Sequence, residues 1–80
     1  MTPAEKAIER KNKNASILIR KGMIDREIAS VTELANMVGI SKSTLYAHFD
    51  KPLTLSGRDL YLISLAVGVK VGELFGEVRV

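Results

Sequence analysis

The chain has 80 residues, 46% of them hydrophobic and 26% charged, with a formal net charge of +3 at pH 7. A chain of this length buries only about 60% of the surface that its unfolded form exposes, which disfavours an enzyme with a deep pocket. There is no cysteine and one histidine, so a disulfide framework and a zinc finger are excluded. We expect one domain over residues 1–80, without a metal or cofactor.

The longest apolar run has ten residues, from Leu60 to Val69. It is too short to span a bilayer, and no apolar leader begins the chain. We therefore expect a cytoplasmic protein that does not contact a membrane. The positive charge favours an anionic partner.

The first predicted helix runs from about residue 3 to residue 26. Thr2, Pro3 and Glu5 have the residue types of an N-cap, a first helical position and the closing residue of a capping box. An apolar stripe follows at Ile8, Ala15, Ile19 and Met23. Gly22 either ends this helix or lies inside it, and the stripe favours a continuous helix.

Basic side chains are concentrated in the first quarter of the chain, at Lys6, Arg10, Lys11, Lys13, Arg20 and Lys21. They form either a solvated face or a set of phosphate contacts that uses some of Lys6, Arg10, Lys13 and Arg20. Asn12 and Asn14 lower helix propensity, so the first dozen residues could instead be an arm that becomes ordered on a nucleic acid.

A second helix is predicted at about residues 31–38, between Ser30 and Gly39. Ser30 and Glu33 form a capping box in which each side chain accepts a hydrogen bond from the other residue's backbone N–H. Gly39 has the residue type that ends a helix in the left-handed conformation. The apolar face consists of Leu34, Ala35 and Val38, and the small Ala35 permits close approach of the next helix.

Ser41 begins a third helix, at about residues 42–50, which ends before Pro52. Leu45 and Phe49 lie one turn apart and face the core together with Ile40. The helical repeat places Lys42, Ser43, Tyr46 and Ala47 on or beside the opposite face.

Ser56 and Asp59 cap a fourth helix at about residues 57–67, which Gly68 ends. Its predicted core residues are Leu60, Ile63, Ser64 and Val67. A fifth helix at about residues 71–75 returns Leu74 and Phe75 to the core.

Two further segments offer an interface. Leu62 and Leu65 lie at the flank of the fourth helix, where they either contact a partner or are covered by Ile17 and Ile24 of the first helix. The tail, residues 76–80, alternates polar and apolar residues. Either Val78 and Val80 belong to a short β-strand that pairs with its copy across a two-fold axis, or the tail is a frayed terminus.

The pattern Leu34-Ala35, Gly39-Ile40-Ser41 and Ser43-Thr44-Leu45 resembles the helix-turn-helix of the lambda-repressor-like family, the small Cro and repressor regulators of phages. The resemblance extends over about residues 15–76. It implies an all-α fold: a compact five-helix domain that binds double-stranded DNA.

Within such a domain the third helix reads base edges in the major groove, through Lys42, Ser43, Tyr46 and Ala47. Tyr46 could instead pack on the helix flank. Phosphate contacts are expected from backbone N–H groups or side chains of Val31, Thr32, Ser41, Thr44, His48, Lys51 and Thr54. His48 could instead be a surface histidine with another partner. Relatives often carry glutamine where this chain has Val31, so their half-site rules do not transfer.

We expect a sequence-specific transcriptional regulator, a Cro-like phage or prophage repressor that binds a palindromic operator as a homodimer and needs no small-molecule effector. The alternative is a helical protein-interaction module, antitoxin-like or adaptor-like, that binds a partner through Leu62, Leu65 and the tail. His48, Asp50 and nearby serines lack the pocket that a hydrolytic triad requires, so we expect no enzymatic activity.

Overall fold

Five α-helices and one short 3-10 helix make up the computed structural model, which describes residues 1–76. The helices are α1 (Pro3–Asp25), α2 (Val31–Val38), α3 (Lys42–His48), α4 (Gly57–Val67) and α5 (Val71–Leu74), and the 3-10 helix is Pro52–Thr54. The predicted all-α fold with five helices is thereby confirmed. The predicted tail strand, with Val78 and Val80, lies outside the described residues. No helix within residues 1–76 is long and apolar enough to cross a membrane.

The N-terminus of α1 is held by a complete capping box. The Thr2 hydroxyl accepts from the Glu5 backbone N–H at 3.1 Å, and the Thr2 backbone N–H donates to the Glu5 carboxylate at 3.0 Å. The backbone N–H of Thr2 and then its hydroxyl lower the pKa of the Glu5 carboxyl. Residues 3–12 are therefore helical, and the alternative of a frayed arm that becomes ordered only on a nucleic acid is wrong.

The apolar stripe of α1 enters the core only in its second half. Ala15, Ile19 and Met23 are buried as predicted, but Ile8 is 58% exposed. Residues 1–11 are all exposed except for the half-buried Ala7, so no other element of the described residues 1–76 covers this end of the helix. The predicted stripe therefore faces the core only from Ala15 onward.

Helix α1 continues through Gly22 and ends at Asp25. Gly22 is buried against the C-terminal end of α4, where a Cβ atom on it would lie 2.5 Å from the Val67 carbonyl oxygen and 2.7 Å from the Val67 Cβ. Only a residue without a side chain permits this approach. Gly22 is thus a packing residue and not a helix end.

Helix α4 presents the four predicted residues to the core: Leu60, Ile63, Ser64 and Val67 are all buried. In α5, Leu74 is buried, but Phe75 is 45% exposed. The prediction for Phe75 is wrong because α5 ends at Leu74 and the following turn directs Phe75 outward.

The flank of α4 remains partly open. Leu62 is half-buried and Leu65 is 58% exposed. Ile17 and Ile24 of α1 are themselves exposed, as is Leu65, so the alternative in which these isoleucines cover both leucines is wrong.

Substituting Gly22→Ala should destabilise the domain. Alanine normally stabilises a helix interior by about 1 kcal/mol over glycine. Here the added methyl group would force α1 and α4 apart, so we expect a net loss of about 1–2 kcal/mol in the free energy of unfolding. Urea denaturation monitored by circular dichroism measures it.

Gly57→Ala is the matched control, because a Cβ on this glycine of α4 has no neighbour within 4 Å. It should leave stability unchanged or raise it by up to about 1 kcal/mol. A Gly22→Ala protein as stable as the parent would contradict the assigned packing role.

Candidate nucleic-acid interface

Helices α2 and α3 are joined by a tight turn at Gly39. The Ser30 hydroxyl accepts from the Glu33 backbone N–H at 3.1 Å and caps α2, and Gly39 ends it with a left-handed φ of 74°. The Glu33 carboxylate accepts from the Ala29 backbone N–H at 3.1 Å. The predicted bond to the Ser30 N–H is therefore wrong, since the carboxylate reaches one residue further back.

Helix α3 is held in place by side chains of its buried face. Leu45 is 1% exposed and Phe49, just past the helix end, is 7% exposed. They pack in one core with Leu34, Ala35 and Ile40. The helix ends at His48, two residues earlier than predicted, because Phe49 and Asp50 form the turn that leads into the 3-10 helix Pro52–Thr54.

The four residues predicted to read bases are exposed on α3. Lys42 and Ser43 form its first turn, and Tyr46 and Ala47 lie one turn later. The helical repeat places Ser43 and Ala47 opposite the buried Leu45, with Tyr46 on the flank that faces α2. A protruding, solvent-accessible helix face of this kind fits a groove and not a small ligand.

Tyr46 is connected to α2. Its hydroxyl lies 3.3 Å from the hydroxyl of Thr32, and its side chain remains 55% exposed. Thr32 is half-buried in the first turn of α2. Tyr46 therefore keeps an accessible ring while its hydroxyl is positioned by the neighbouring helix.

The first turn of α2 offers unpaired backbone donors. The N–H groups of Val31 and Thr32 have no hydrogen-bond partner among residues 1–76. The Val31 side chain is half-buried against the core, so only its backbone can contact a ligand. Free N–H groups and the positive end of the helix dipole together favour an anion such as phosphate.

The hydroxyls of Ser41 and Thr44 are not equivalent. Ser41 accepts from the Thr44 backbone N–H at 3.2 Å and donates its proton to the Thr44 hydroxyl at 2.7 Å. The Thr44 hydroxyl proton has no acceptor within the described part of the chain. Of the two predicted phosphate ligands, Thr44 is therefore the one with a free donor.

His48 and Thr54 form a chain of hydrogen bonds beside the end of α3. The Thr54 hydroxyl donates to the Lys51 carbonyl at 2.5 Å and lies 2.6 Å from the His48 Nδ1. Because a hydroxyl has one proton, Thr54 accepts from His48, and His48 carries its proton on Nδ1. His48 is thus a half-buried residue with a partner, while the Lys51 side chain stays exposed.

An ion pair between α1 and the end of α3 was not predicted. Arg20 donates to the Asp50 carboxylate at 2.8 Å, and its guanidinium carbon lies 4.7 Å from the centroid of the Phe49 ring. Arg20 thereby covers the ring of Phe49 and offsets the negative charge of Asp50 at the edge of this surface. Thirty positions separate the two partners, so no local pattern reveals the pair.

Asn12 is a second contact that sequence reasoning missed. It is 5% exposed, and its side-chain oxygen accepts from the Leu53 backbone N–H at 2.9 Å. The bond ties α1 to the 3-10 helix Pro52–Thr54. The spacing of position 12 from Ala15 and Ile19 places it on the buried face of α1, which is the pattern that could have identified it.

The two helices, their left-handed turn and the exposed face of α3 define a helix-turn-helix DNA-binding domain. Residues 19–78 match the family model described as the Cro/C1-type helix-turn-helix DNA-binding domain. The chain belongs to this family and is a DNA-binding regulator. Neither the search of curated proteins nor that of solved structures gives a match.

Removing the Asn12 amide should destabilise the domain. Asn12→Ala leaves the Leu53 N–H without its partner, and we expect a loss of about 1–3 kcal/mol in the free energy of unfolding. Asn14→Ala is the control, since Asn14 is exposed on the same helix and gains the same helix propensity. Equal stability of the two variants in chemical denaturation would refute the structural role of Asn12.

Proposed function

We propose that the chain is a Cro-like repressor of phage or prophage type that binds a palindromic operator as a homodimer. The observation that carries the proposal is the exposed face of α3, on a helix held by Leu45 and Phe49 against the core. Binding over a promoter would exclude polymerase. Control through the concentration of the repressor itself, without a small-molecule effector, completes the proposal.

The bases are read by residues in the first turn of α3 and by residues one turn later. Lys42 donates to guanine O6 or N7, Ser43 donates or accepts, and Ala47 meets a thymine methyl group. Tyr46 contacts a base edge from the side of α2. Their common exposure supports this assignment.

Phosphate contacts lie on both sides of α3. On one side are the free N–H groups of Val31 and Thr32. On the other are the hydroxyl of Thr44, the side chain of Lys51 and, when its imidazole carries a second proton, His48. The Thr54 hydroxyl donates its proton to the Lys51 carbonyl, so Thr54 orients His48 and does not itself donate to a phosphate. In this arrangement Ser41 acts as the N-cap that directs Thr44, because its own proton is already donated.

The second copy is proposed to pack on the open flank of α4. Leu65 is exposed there next to the half-buried Leu62, and Tyr61 is 53% exposed one turn before Leu65. The tail residues Val78 and Val80 remain the second candidate for this contact. Two copies place two α3 helices about one turn of DNA apart, which doubles the contact area of a small module.

The salt dependence of binding to a random duplex separates a DNA-binding function from an adaptor function. About six phosphate contacts should weaken the affinity by roughly a thousandfold between 50 and 200 mM salt. Fluorescence anisotropy with a labelled duplex measures this slope. A protein-interaction module without DNA contacts would show no binding at the lower salt concentration.

Selection from a random oligonucleotide pool tests operator and residue roles together. We expect the selected sequences to contain an inverted repeat, because a dimer with two-fold symmetry binds two identical half-sites in opposite orientations. Lys42→Ala should change the selected bases and cost about 1–3 kcal/mol against the best site. Lys51→Ala is its control, since loss of a phosphate contact should weaken all sequences alike. If Lys42→Ala selected the same bases as the parent protein, the assignment of Lys42 to base readout would be wrong.

A further inference from the structure

The contact between Thr32 and Tyr46 has consequences for which bases Tyr46 accepts. Among residues 1–76 it is the one side-chain hydrogen bond that joins α2 to α3, with 3.3 Å between the two hydroxyl oxygens. Either hydroxyl can be the donor in the free protein. Bound DNA would fix which of the two hydroxyls donates.

Each hydroxyl has one proton, so it donates once and otherwise accepts. Thr32 lies in the first turn of α2, beside the two unpaired N–H groups that the proposed function assigns to a phosphate. A phosphate oxygen only accepts, so the Thr32 hydroxyl donates to it. Thr32 can then only accept from Tyr46, and the Tyr46 proton is directed toward α2.

With its proton directed away from the groove, the Tyr46 oxygen presents lone pairs to a base edge. In the major groove, adenine N6 and cytosine N4 donate, whereas guanine O6 and N7 and thymine O4 accept. We propose that Thr32 positions the Tyr46 hydroxyl and thereby restricts Tyr46 to a base with an exocyclic amino group, adenine or cytosine. The inference rests on the proposed placement of α3 in the major groove.

This selectivity depends on the hydroxyl of Thr32 and not on the shape of the side chain. Thr32→Val keeps the branched side chain and removes the hydroxyl. The Tyr46 proton is then free to turn toward the groove and donate to guanine or thymine. Discrimination should therefore relax at a single base position in each half-site.

The test is competition binding with operators that carry each of the four bases at every position of a half-site. Tyr46→Phe first identifies the position, as the one whose preference it alters. There the parent protein should favour adenine or cytosine by roughly tenfold over guanine and thymine. Thr32→Val should reduce this ratio to about twofold, and Thr32→Ser, which restores the hydroxyl, should keep it.

Thr44→Val is the matched control, because Thr44 lies on α3 without a contact to Tyr46 and loses a proposed phosphate contact together with the hydrogen bond from the Ser41 hydroxyl. It should weaken all operators alike and leave the preference in place. A parental preference for guanine or thymine at the Tyr46 position would overturn the inference, as would an unchanged preference in Thr32→Val.

Different results would contradict the proposed role of Tyr46 and the proposed role of Thr32. If the domain binds duplex DNA and Tyr46→Phe alters one position, but Thr32→Val does not, the positioning role of Thr32 alone is wrong. If Tyr46→Phe alters no position, the assignment of Tyr46 to base readout falls and the inference falls with it. Melting temperatures of the variants, compared with that of the parent, exclude misfolding as the cause of either result.

Discussion

A helix of seven residues is not stable in water by itself, and this constraint governs the whole domain. The recognition helix α3 exists because Leu45 and Phe49 are buried, and burial of each contributes about 1.5–3 kcal/mol. All other helices serve to complete the core that receives these two side chains. The opposite face of α3 makes no contact with the core, which leaves it accessible to DNA.

Burial fixes the position of α3, and polar contacts at its flanks fix the direction of individual groups. Tyr46 is held from the side of α2, and His48 from the side of the 3-10 helix. At the end of the helix, Arg20 pairs with Asp50 over the ring of Phe49. Exposed contacts of this kind contribute at most about 1 kcal/mol each. Their main effect is to decide which protons and charges face outward.

Three glycines are required for two different physical reasons. Gly39 and Gly68 adopt left-handed conformations at helix ends, at φ of 74° and 72°, where a side chain would be strained. Gly22 has an ordinary helical backbone and is required because α4 approaches it closely. The first demand is local and has a sequence pattern. The second depends on a residue, Val67, that lies far along the chain.

The sequence alone determined the features that depend on neighbours within one or two turns. The caps at Thr2, Ser30, Ser41 and Ser56, the breaks at Gly39 and Gly68, and the four core residues of α4 follow from spacing and side-chain chemistry, and the structure confirms them. Spacing also put Ile8 on the apolar stripe of α1 and Phe75 in the core, yet both are exposed, since periodicity gives the face of a helix but not whether another element covers it.

Tertiary structure alone decided the contacts between distant segments. These are the closeness of Gly22 to Val67, the bond from the Leu53 N–H to Asn12, the pairing of Arg20 with Asp50 and the meeting of the Thr32 and Tyr46 hydroxyls. Each joins two elements whose relative placement is set by how the core packs. No local pattern contains that information, because a side chain's partner is fixed only once the helices have been brought together.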